Sequence, residues 1–221
     1  MRQAERTYGS LLLYFPSEVL LYHDEFCGDS ALRSYNVNED ISTKKDNGIH
    51  KREDMRLFAA FLPDETANRK LQEIQNAFRQ KGIRGRFTDP ANLHMTYVYI
   101  GEYDDAEKVW DILCQIPFEP LTLYPAGFDV FKKNIVVLRF QEEEKLNAYV
   151  VNLRNALKEN QIPYDPSDFH PHITLLRRAD PILPVSADLS ALSMKLNSVS
   201  LMWSHREDEK LVYTELERLE Y

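Results

Sequence analysis

Two copies of a His-x-Thr triplet constrain this chain more than any other feature of its sequence. HMT covers residues 94–96 and HIT covers residues 172–174, and each triplet follows a turn-rich loop and begins an apolar, β-forming stretch. On a strand, the first and third side chains of a triplet lie on the same face, about 7 Å apart. Two such strands in matching contexts predict two similar lobes, each presenting one imidazole and one hydroxyl.

The order of the predicted elements indicates an α+β fold. From Met55 onward, strand-length apolar runs and amphipathic helices mix without the regular alternation of a doubly wound fold. Residues 82–91 are predicted to be a loop. The predicted strands cover 55–63, 92–101, 120–131, 134–140, a segment beginning near His172, 194–204 and 210–219, and the predicted helices cover 64–82, 104–116 and 142–161.

Residues 1–54 differ in character from the rest of the chain. An apolar opening gives way to a polar stretch that ends near residue 54 and has no apolar period, which is typical of a loop or linker. We therefore predict an N-terminal extension over 1–54, serving as a lid, an interface or a flexible leader. A single domain is expected over 55–221.

Composition and net charge limit the kinds of binding partner that this protein can have, but they do not identify one. With 43% hydrophobic residues the chain can build a real core, and its net charge of −8 argues against a long surface for duplex nucleic acid. A small phosphorylated ligand or an RNA end needs only a few local cations. No apolar run approaches the roughly 18 residues of a membrane span. The two cysteines form no disulfide framework, so we expect a reduced, cytoplasmic protein.

The paired triplets predict acid–base chemistry at phosphorus. An imidazole titrates near neutrality, so one histidine can act as a base while the other acts as an acid, and hydroxyls donate hydrogen bonds to anionic oxygens. The alternative is a metal site of His94, His170 and His172. Such a metal site would give neither threonine a role, and no carboxylate or cysteine lies near either triplet at the spacing of a metal ligand. We therefore expect no metal.

A few other residues are candidates for contact with a substrate. Phe131, beside two lysines in a predicted turn, could stack on a base. Tyr97 and Tyr99 have the opposite strand parity to the first histidine and are predicted to pack under the sheet. Arg84 and Arg86, in the predicted loop, either steer a phosphate or are solvated.

The sequence around both triplets resembles the 2H phosphoesterase superfamily. The similarity is to its branch of 2′-5′ RNA ligases and RNA 2′,3′-cyclic phosphodiesterases, the LigT/ThpR-like branch, and covers essentially all of residues 55–221. PANLHMTYVYIGE and FHPHITLLR resemble the two motifs of that branch. MRLFAAFLPDE resembles its first strand, and SVSLMWSHREDEKLVYTELERL is similar to its closing hairpin.

The resemblance implies a bilobal α+β fold, with two pseudo-symmetric antiparallel-sheet lobes, helices outside and a central cleft. It implies metal-independent, cofactor-free hydrolysis of an RNA or nucleotide 2′,3′-cyclic phosphate to a 2′-phosphate, together with the reverse 2′-5′ ligation. His94 and His172 would be the catalytic base and acid, in an order that the sequence leaves open. Thr96 and Thr174 would bind the phosphate. An RNA end or a small nucleotide is the expected partner of a monomer that does not bind membranes.

Departures from the family pattern leave alternatives open. Ser167 and Asp168 stand where the branch often has arginine and proline. Arg177, a further phosphate-binding candidate, lies five residues after His172 and reaches the cleft only if the strand bends or ends. The alternatives are a phosphodiesterase acting on 2′-5′ oligoadenylates or small cyclic nucleotides, and a non-catalytic nucleotide-binding module on the same fold.

Overall fold

The computed structural model describes residues 55–181 and 187–221. The predicted extension over 1–54 lies outside the described residues, so its boundary and role stay predictions. Among the described helices, none is both long enough and apolar enough to cross a membrane.

Strands and helices mix along the described residues in the order expected of an α+β fold, which confirms the predicted class. A short 3-10 turn, Pro90–Asn92, precedes the first triplet strand. The elements are β1 (Met55–Phe61), α1 (Glu65–Gln80), β2 (Arg84–Phe87), β3 (Met95–Tyr103), α2 (Ala106–Gln115), β4 (Leu121–Leu123), β5 (Pro125–Phe131), β6 (Ile135–Phe140), α3 (Glu144–Glu159), β7 (His172–Asp180), β8 (Met194–Leu196), β9 (Ser198–Glu207) and β10 (Lys210–Glu220).

Two four-stranded antiparallel sheets form the two predicted lobes. The first sheet has the strand order β10-β9-β1-β3 and the second has the order β2-β7-β6-β5, while β4 and β8 form a separate pair. The triplet strands are β3 in the first sheet and β7 in the second. Each triplet strand pairs with an earlier strand that a helix separates from it in the chain. Strand β3 pairs with β1, with α1 and β2 between them, and β7 pairs with β6, with α3 between them. The repeated strand-helix-strand unit accounts for the pseudo-symmetry of the fold.

Helices α1 and α3 cross over between the two lobes. Helix α1 packs on the second sheet, with the ring centroids of Phe78 and Phe128 5.2 Å apart and the Arg79 guanidinium 3.9 Å from the centroid of Phe87. Helix α3 packs on the first sheet, where Tyr149 meets Tyr97 of β3 edge to face at 5.5 Å. Each sheet therefore buries one side under a helix that follows a strand of the other sheet.

The predicted loop over 82–91 contains a strand, so the prediction is wrong there. Strand β2 approaches β7 very closely at Gly85, which has a φ of 142°. A β-carbon at Gly85 would lie 2.7 Å from the carbonyl oxygen of Arg178 and 2.8 Å from that of Arg177. Because β2 is short and mostly exposed, it carries no alternation of apolar residues that a sequence pattern could detect.

Candidate active site

The first triplet is fixed at the entrance of β3. His94 directly precedes the strand, and Thr96 pairs with Ala60 of β1. The Nδ1 atom of His94 lies 2.8 Å from the carbonyl oxygen of Asn92. Because a carbonyl can only accept, Nδ1 carries the proton in the neutral imidazole and Nε2 keeps its lone pair. The His94 Nε2 is therefore the atom that can exchange a proton with a ligand.

The second triplet repeats this arrangement in the other sheet. The Nδ1 atom of His172 lies 2.7 Å from the carbonyl oxygen of His170, again two residues upstream. Within the described residues, the hydroxyls of Thr96 and Thr174 make no hydrogen bond to the protein, so both can donate to a ligand. The structure thus presents two imidazoles in the same tautomer, each beside an uncommitted hydroxyl.

Aromatic side chains surround His94. The ring centroids of Phe58 and Tyr213 each lie 5.0 Å from that of His94, and Tyr213 meets it at 90°. The side chain of Asn92 donates to the carbonyl of Leu211 at 3.0 Å and accepts from the main-chain N–H of Tyr213 at 3.3 Å. Asn92 therefore joins the turn before β3 to β10, which holds Tyr213 against the imidazole.

A network of charged side chains lies near His172. Arg139 pairs with His172 across β6 and β7. Its guanidinium contacts Asp129 at 3.5 Å and Glu142 at 3.4 Å. Glu142 also lies 3.4 Å from Nδ1 of His170, whose carbonyl orients the catalytic candidate. His94 is therefore packed between two aromatic rings, whereas His172 lies beside an ionic network as well as one aromatic ring.

Burial and neighbouring cations lower the pKa of both histidines. Burial is the main cause of the fall in the pKa of His94 to about 4, and the charges of His172 and Arg177 add to it. Burial also lowers the pKa of His172, helped by the positive charges of Arg139, His170 and Arg177. Both imidazoles are therefore neutral at pH 7 in the unliganded protein. The two histidines and Arg177 therefore lie within electrostatic range of one another.

A β-bulge explains how Arg177 reaches this cleft. Consecutive residues of β6, Val136 and Val137, pair with Leu176 and Thr174, so Leu175 is an extra residue in β7. The extra residue reverses the strand parity and returns Arg177 to the face of Thr174. The sequence predicted that Arg177 would reach the cleft only if the strand bent or ended, and the bulge supplies that irregularity.

A buried glutamine of α1 secures the bulge. Gln75 is only 1% exposed, and its Nε2 donates to the carbonyls of Thr88 at 2.8 Å and Leu175 at 3.0 Å. The carbonyl of Leu175 also accepts the main-chain N–H of Thr88 at 2.9 Å. Sequence reasoning missed Gln75, although a polar residue beside Leu71 and Phe78 on an apolar helical face was a detectable signal.

A matching bulge in β3 overturns one prediction about the tyrosines. The pairing of β1 with β3 skips Tyr97 and, further along the strand, Ile100. Tyr97 is therefore an extra residue next to the triplet, and it is buried as predicted. Tyr99 is 40% exposed, so the prediction that it packs under the sheet is wrong. The bulge returns Tyr99 to the cleft face, at the position in β3 that corresponds to Arg177 in β7.

The remaining candidates lie at the second lobe. The Phe131 ring packs against the His172 ring with centroids 5.0 Å apart and planes at 65°. Its stacking on a base stays a prediction. Arg86 is exposed in β2 and pairs directly with Arg177. Within residues 55–181 and 187–221, no three His, Cys, Asp or Glu side chains are grouped as metal ligands.

Comparisons with known proteins match both the sequence and the fold. The family model of the 2′-5′ RNA ligase superfamily matches residues 61–208. A curated relative, the RNA 2′,3′-cyclic phosphodiesterase of Aquifex aeolicus, is 26% identical over 137 residues, which cover 56% of this chain and 70% of the relative. Crystal structures of Escherichia coli LigT complexed with 3′-AMP and of a Thermus thermophilus protein match with TM-scores of 0.63 and 0.64 at 26% and 27% identity. The matches cover 76% and 75% of this chain, and 98% and 97% of the solved chains.

Proposed function

This chain belongs to the 2′-5′ RNA ligase superfamily, and on that premise we propose that it hydrolyses an RNA or nucleotide 2′,3′-cyclic phosphate to a 2′-phosphate. The observation that carries the proposal is the matched pair of Nδ1 hydrogen bonds at His94 and His172. These bonds leave two Nε2 atoms for proton exchange beside two uncommitted hydroxyls, which suits in-line displacement at phosphorus.

The reaction needs one imidazole on each side of the phosphorus. The Nε2 atom of one histidine takes a proton from water, and the water oxygen attacks phosphorus opposite the bond to O3′. The P–O3′ bond breaks, and the other histidine, in its protonated form, gives its proton to O3′. If the 5′-hydroxyl of a second RNA takes the place of water, it loses its proton to the base and attacks the same phosphorus. The P–O3′ bond again breaks, O3′ takes the proton of the acid, and a 2′-5′ link results.

Protonation of the acid depends on the substrate. Both pKa values lie below the ordinary value in the unliganded protein. An anionic phosphate between the imidazoles stabilises the charged form and raises the pKa of the histidine that must act as the acid. The hydroxyls of Thr96 and Thr174 donate to the non-bridging oxygens, and the Arg177 guanidinium neutralises the charge that develops on them.

The test is turnover of a 2′,3′-cyclic nucleotide and of a cyclic-phosphate-ended oligonucleotide in the presence of EDTA. We expect 2′-phosphate products, identified by chromatography against 2′- and 3′-phosphate standards. His94→Ala and His172→Ala should each lower kcat by at least about 100-fold, the usual contribution of a general acid or base. Turnover that EDTA abolishes, or single variants with near-wild-type rates, would contradict the mechanism.

His205→Ala is the matched control for loss of a histidine. Its ring stacks on Trp203 with centroids 4.0 Å apart, and its Nε2 lies 2.8 Å from the Thr214 hydroxyl. Because His205 touches neither triplet, its removal should lower stability and leave kcat unchanged. A fall in kcat comparable with that of the triplet variants would show that the assay reports general destabilisation.

Other outcomes of the same assay distinguish the alternatives. Tight nucleotide binding without turnover would favour a non-catalytic module, and faster cleavage of 2′-5′ oligoadenylates would identify those as the substrate. The proposal includes a monomer acting in the cytoplasm, which gel filtration and cell fractionation would check.

A further inference from the structure

Two arginines face each other on the ribbon that β2 forms with β7. Arg86 pairs directly with Arg177 across these strands. The residue after Arg86, Phe87, points to the opposite side, where it packs under the Arg79 guanidinium of α1. Since neighbouring side chains in a strand alternate, Arg86 lies on the face away from α1, as Arg177 does.

This pair is unusual among the arginines that the structure describes. Like charges directly opposite each other across strands destabilise a sheet. Neither Arg86 nor Arg177 forms an ion pair or a side-chain hydrogen bond with any described residue. By contrast, Arg56, Arg139 and Arg218 all have carboxylate partners. Arg84 and Arg178 also lack such a partner among the described residues, but Arg84 lies opposite Asp180 and not opposite another arginine. In a protein of net charge −8, two opposed and unpaired guanidinium groups indicate a site for an anion.

Both charges act at the candidate active site. The positive charges of Arg177 and Arg86 each oppose the rise in the pKa of Tyr213 that burial causes. Tyr213 is the residue whose ring meets His94 edge to face at 5.0 Å. Arg86 therefore lies within electrostatic range of the cleft, on the side where β2 borders it.

The backbone holds Arg86 close to Arg177. Gly85 has no side chain, and any β-carbon there would lie within 3 Å of the carbonyl oxygens of Arg177 and Arg178. The close approach fixes the distance between the opposed positions, whose β-carbons are typically about 5 Å apart in an antiparallel pair. Two planar guanidinium groups at that spacing can hold neighbouring anionic groups of one ligand.

We propose that Arg86 and Arg177 together form a second anion subsite, which binds the phosphate on the 5′ side of the nucleotide that carries the cyclic phosphate. The inference rests on the proposed function for the position of the reacting phosphate between His94 and His172. Arg177 lies between the two anions, while Arg86 contacts only the additional one. The protein therefore favours substrates with a 5′-phosphate or an internal phosphodiester over a cyclic nucleoside with a free 5′-hydroxyl.

The kinetic test compares a nucleoside 2′,3′-cyclic phosphate with its 5′-phosphorylated form and with a dinucleotide that carries the same cyclic end. A charge-assisted contact predicts that wild type prefers the two larger substrates by about 10- to 100-fold in kcat/KM. Arg86→Met should reduce this ratio to near one, whereas Arg84→Met should preserve it. Arg84 is the matched control because it lies on the same strand, carries the same charge and stands opposite Asp180, not opposite another arginine, in the strand register.

A binding test separates this inference from the proposed function. Calorimetry would compare a nucleoside 2′,5′-bisphosphate with the nucleoside 2′-monophosphate, using wild type and both variants at two salt concentrations. If wild type binds the bisphosphate more tightly and Arg86→Met loses that preference, the subsite holds even if no substrate is turned over. An equal loss of affinity for both ligands in Arg86→Met, or no wild-type preference, would overturn it. Preference for the bisphosphate without preference for the dinucleotide would restrict the subsite to terminal phosphates.

Discussion

Replacing Gln75 by methionine would remove the buried amide that ties α1 to the bulge in β7. The side chain of methionine has a similar length but no donor, so the hydrogen bonds to the carbonyls of Thr88 and Leu175 are lost. The carbonyl of Leu175 keeps the main-chain N–H of Thr88 as its partner. The carbonyl of Thr88 loses the bond that the amide supplied.

The size of the effect follows from these contacts. Each hydrogen bond contributes about 1 kcal/mol net, so the free energy of unfolding should fall by about 2 kcal/mol. For a domain of this size, that loss corresponds to a fall in Tm of about 4–8 °C. If the loosened bulge lets Arg177 leave the cleft, kcat/KM for a cyclic phosphate should fall by about 10- to 100-fold, the value of a charge-assisted contact.

Thermal and urea unfolding would measure the stability, and steady-state kinetics well below Tm would measure the activity. Gln72→Met is the matched control, because Gln72 lies one turn earlier in α1 and its amide bonds only Asn68 of the same helix, at 2.9 Å. We expect this surface change to cost less than about 0.5 kcal/mol and to leave kcat/KM unchanged.

A double variant tests the route of the effect. If Gln75 acts through Arg177, then adding Gln75→Met to Arg177→Met should cause no further loss of kcat/KM. Additive losses would refute the coupling through the bulge. A variant that loses stability but keeps full activity would show that the bulge survives without the amide.

Two further predictions concern the first triplet. Because the pKa of His94 falls from 6.5 unfolded to about 4 folded, its neutral form confers stability that is complete above pH 6.5 and lost as the pH drops towards 4. Urea unfolding at pH 7, 5.5 and 4 should show about 3 kcal/mol of this loss in wild type but not in His94→Gln. Asn92→Ala removes both bonds to β10, so we expect about 1–2 kcal/mol less stability and a several-fold lower kcat. Asn68→Ala, which loses a hydrogen bond to the same turn at Pro90, should keep its kcat. Equal kcat in the two variants would contradict the role of Asn92 in holding Tyr213 against His94.

The triplets and most of the strands and helices were predictable because their signals are local. The alternation after His94 and His172, the cap at Asp64 and the left-handed glycine at Gly82 all depend on residues close in sequence. Asp64 accepts the N–H of Ala67 at 2.7 Å, as a helix cap should.

The bulges were not predictable, because an extra residue is defined by the strand that pairs with it. One inserted residue reverses the face of every side chain that follows. The positions of Tyr99 and Arg177 both depend on this reversal. Strict alternation wrongly put Tyr99 under the sheet, and it left the position of Arg177 conditional on a bend in the strand. Strand β2 was missed for a related reason, since its pairing with β7 joins segments that are far apart in the chain.

The position of β1 in its sheet has a consequence for the synthesis and folding of the protein. As the first described strand, β1 gains its second neighbour only when β9 is made, through pairs such as Leu57 with Trp203. Until then one edge of β1 lacks a partner, and such open edges invite pairing with other chains. Tyr213, which packs on His94, arrives later still in β10. The first of the two candidate catalytic histidines therefore acquires its surroundings last, so products of early termination should be inactive and prone to aggregate.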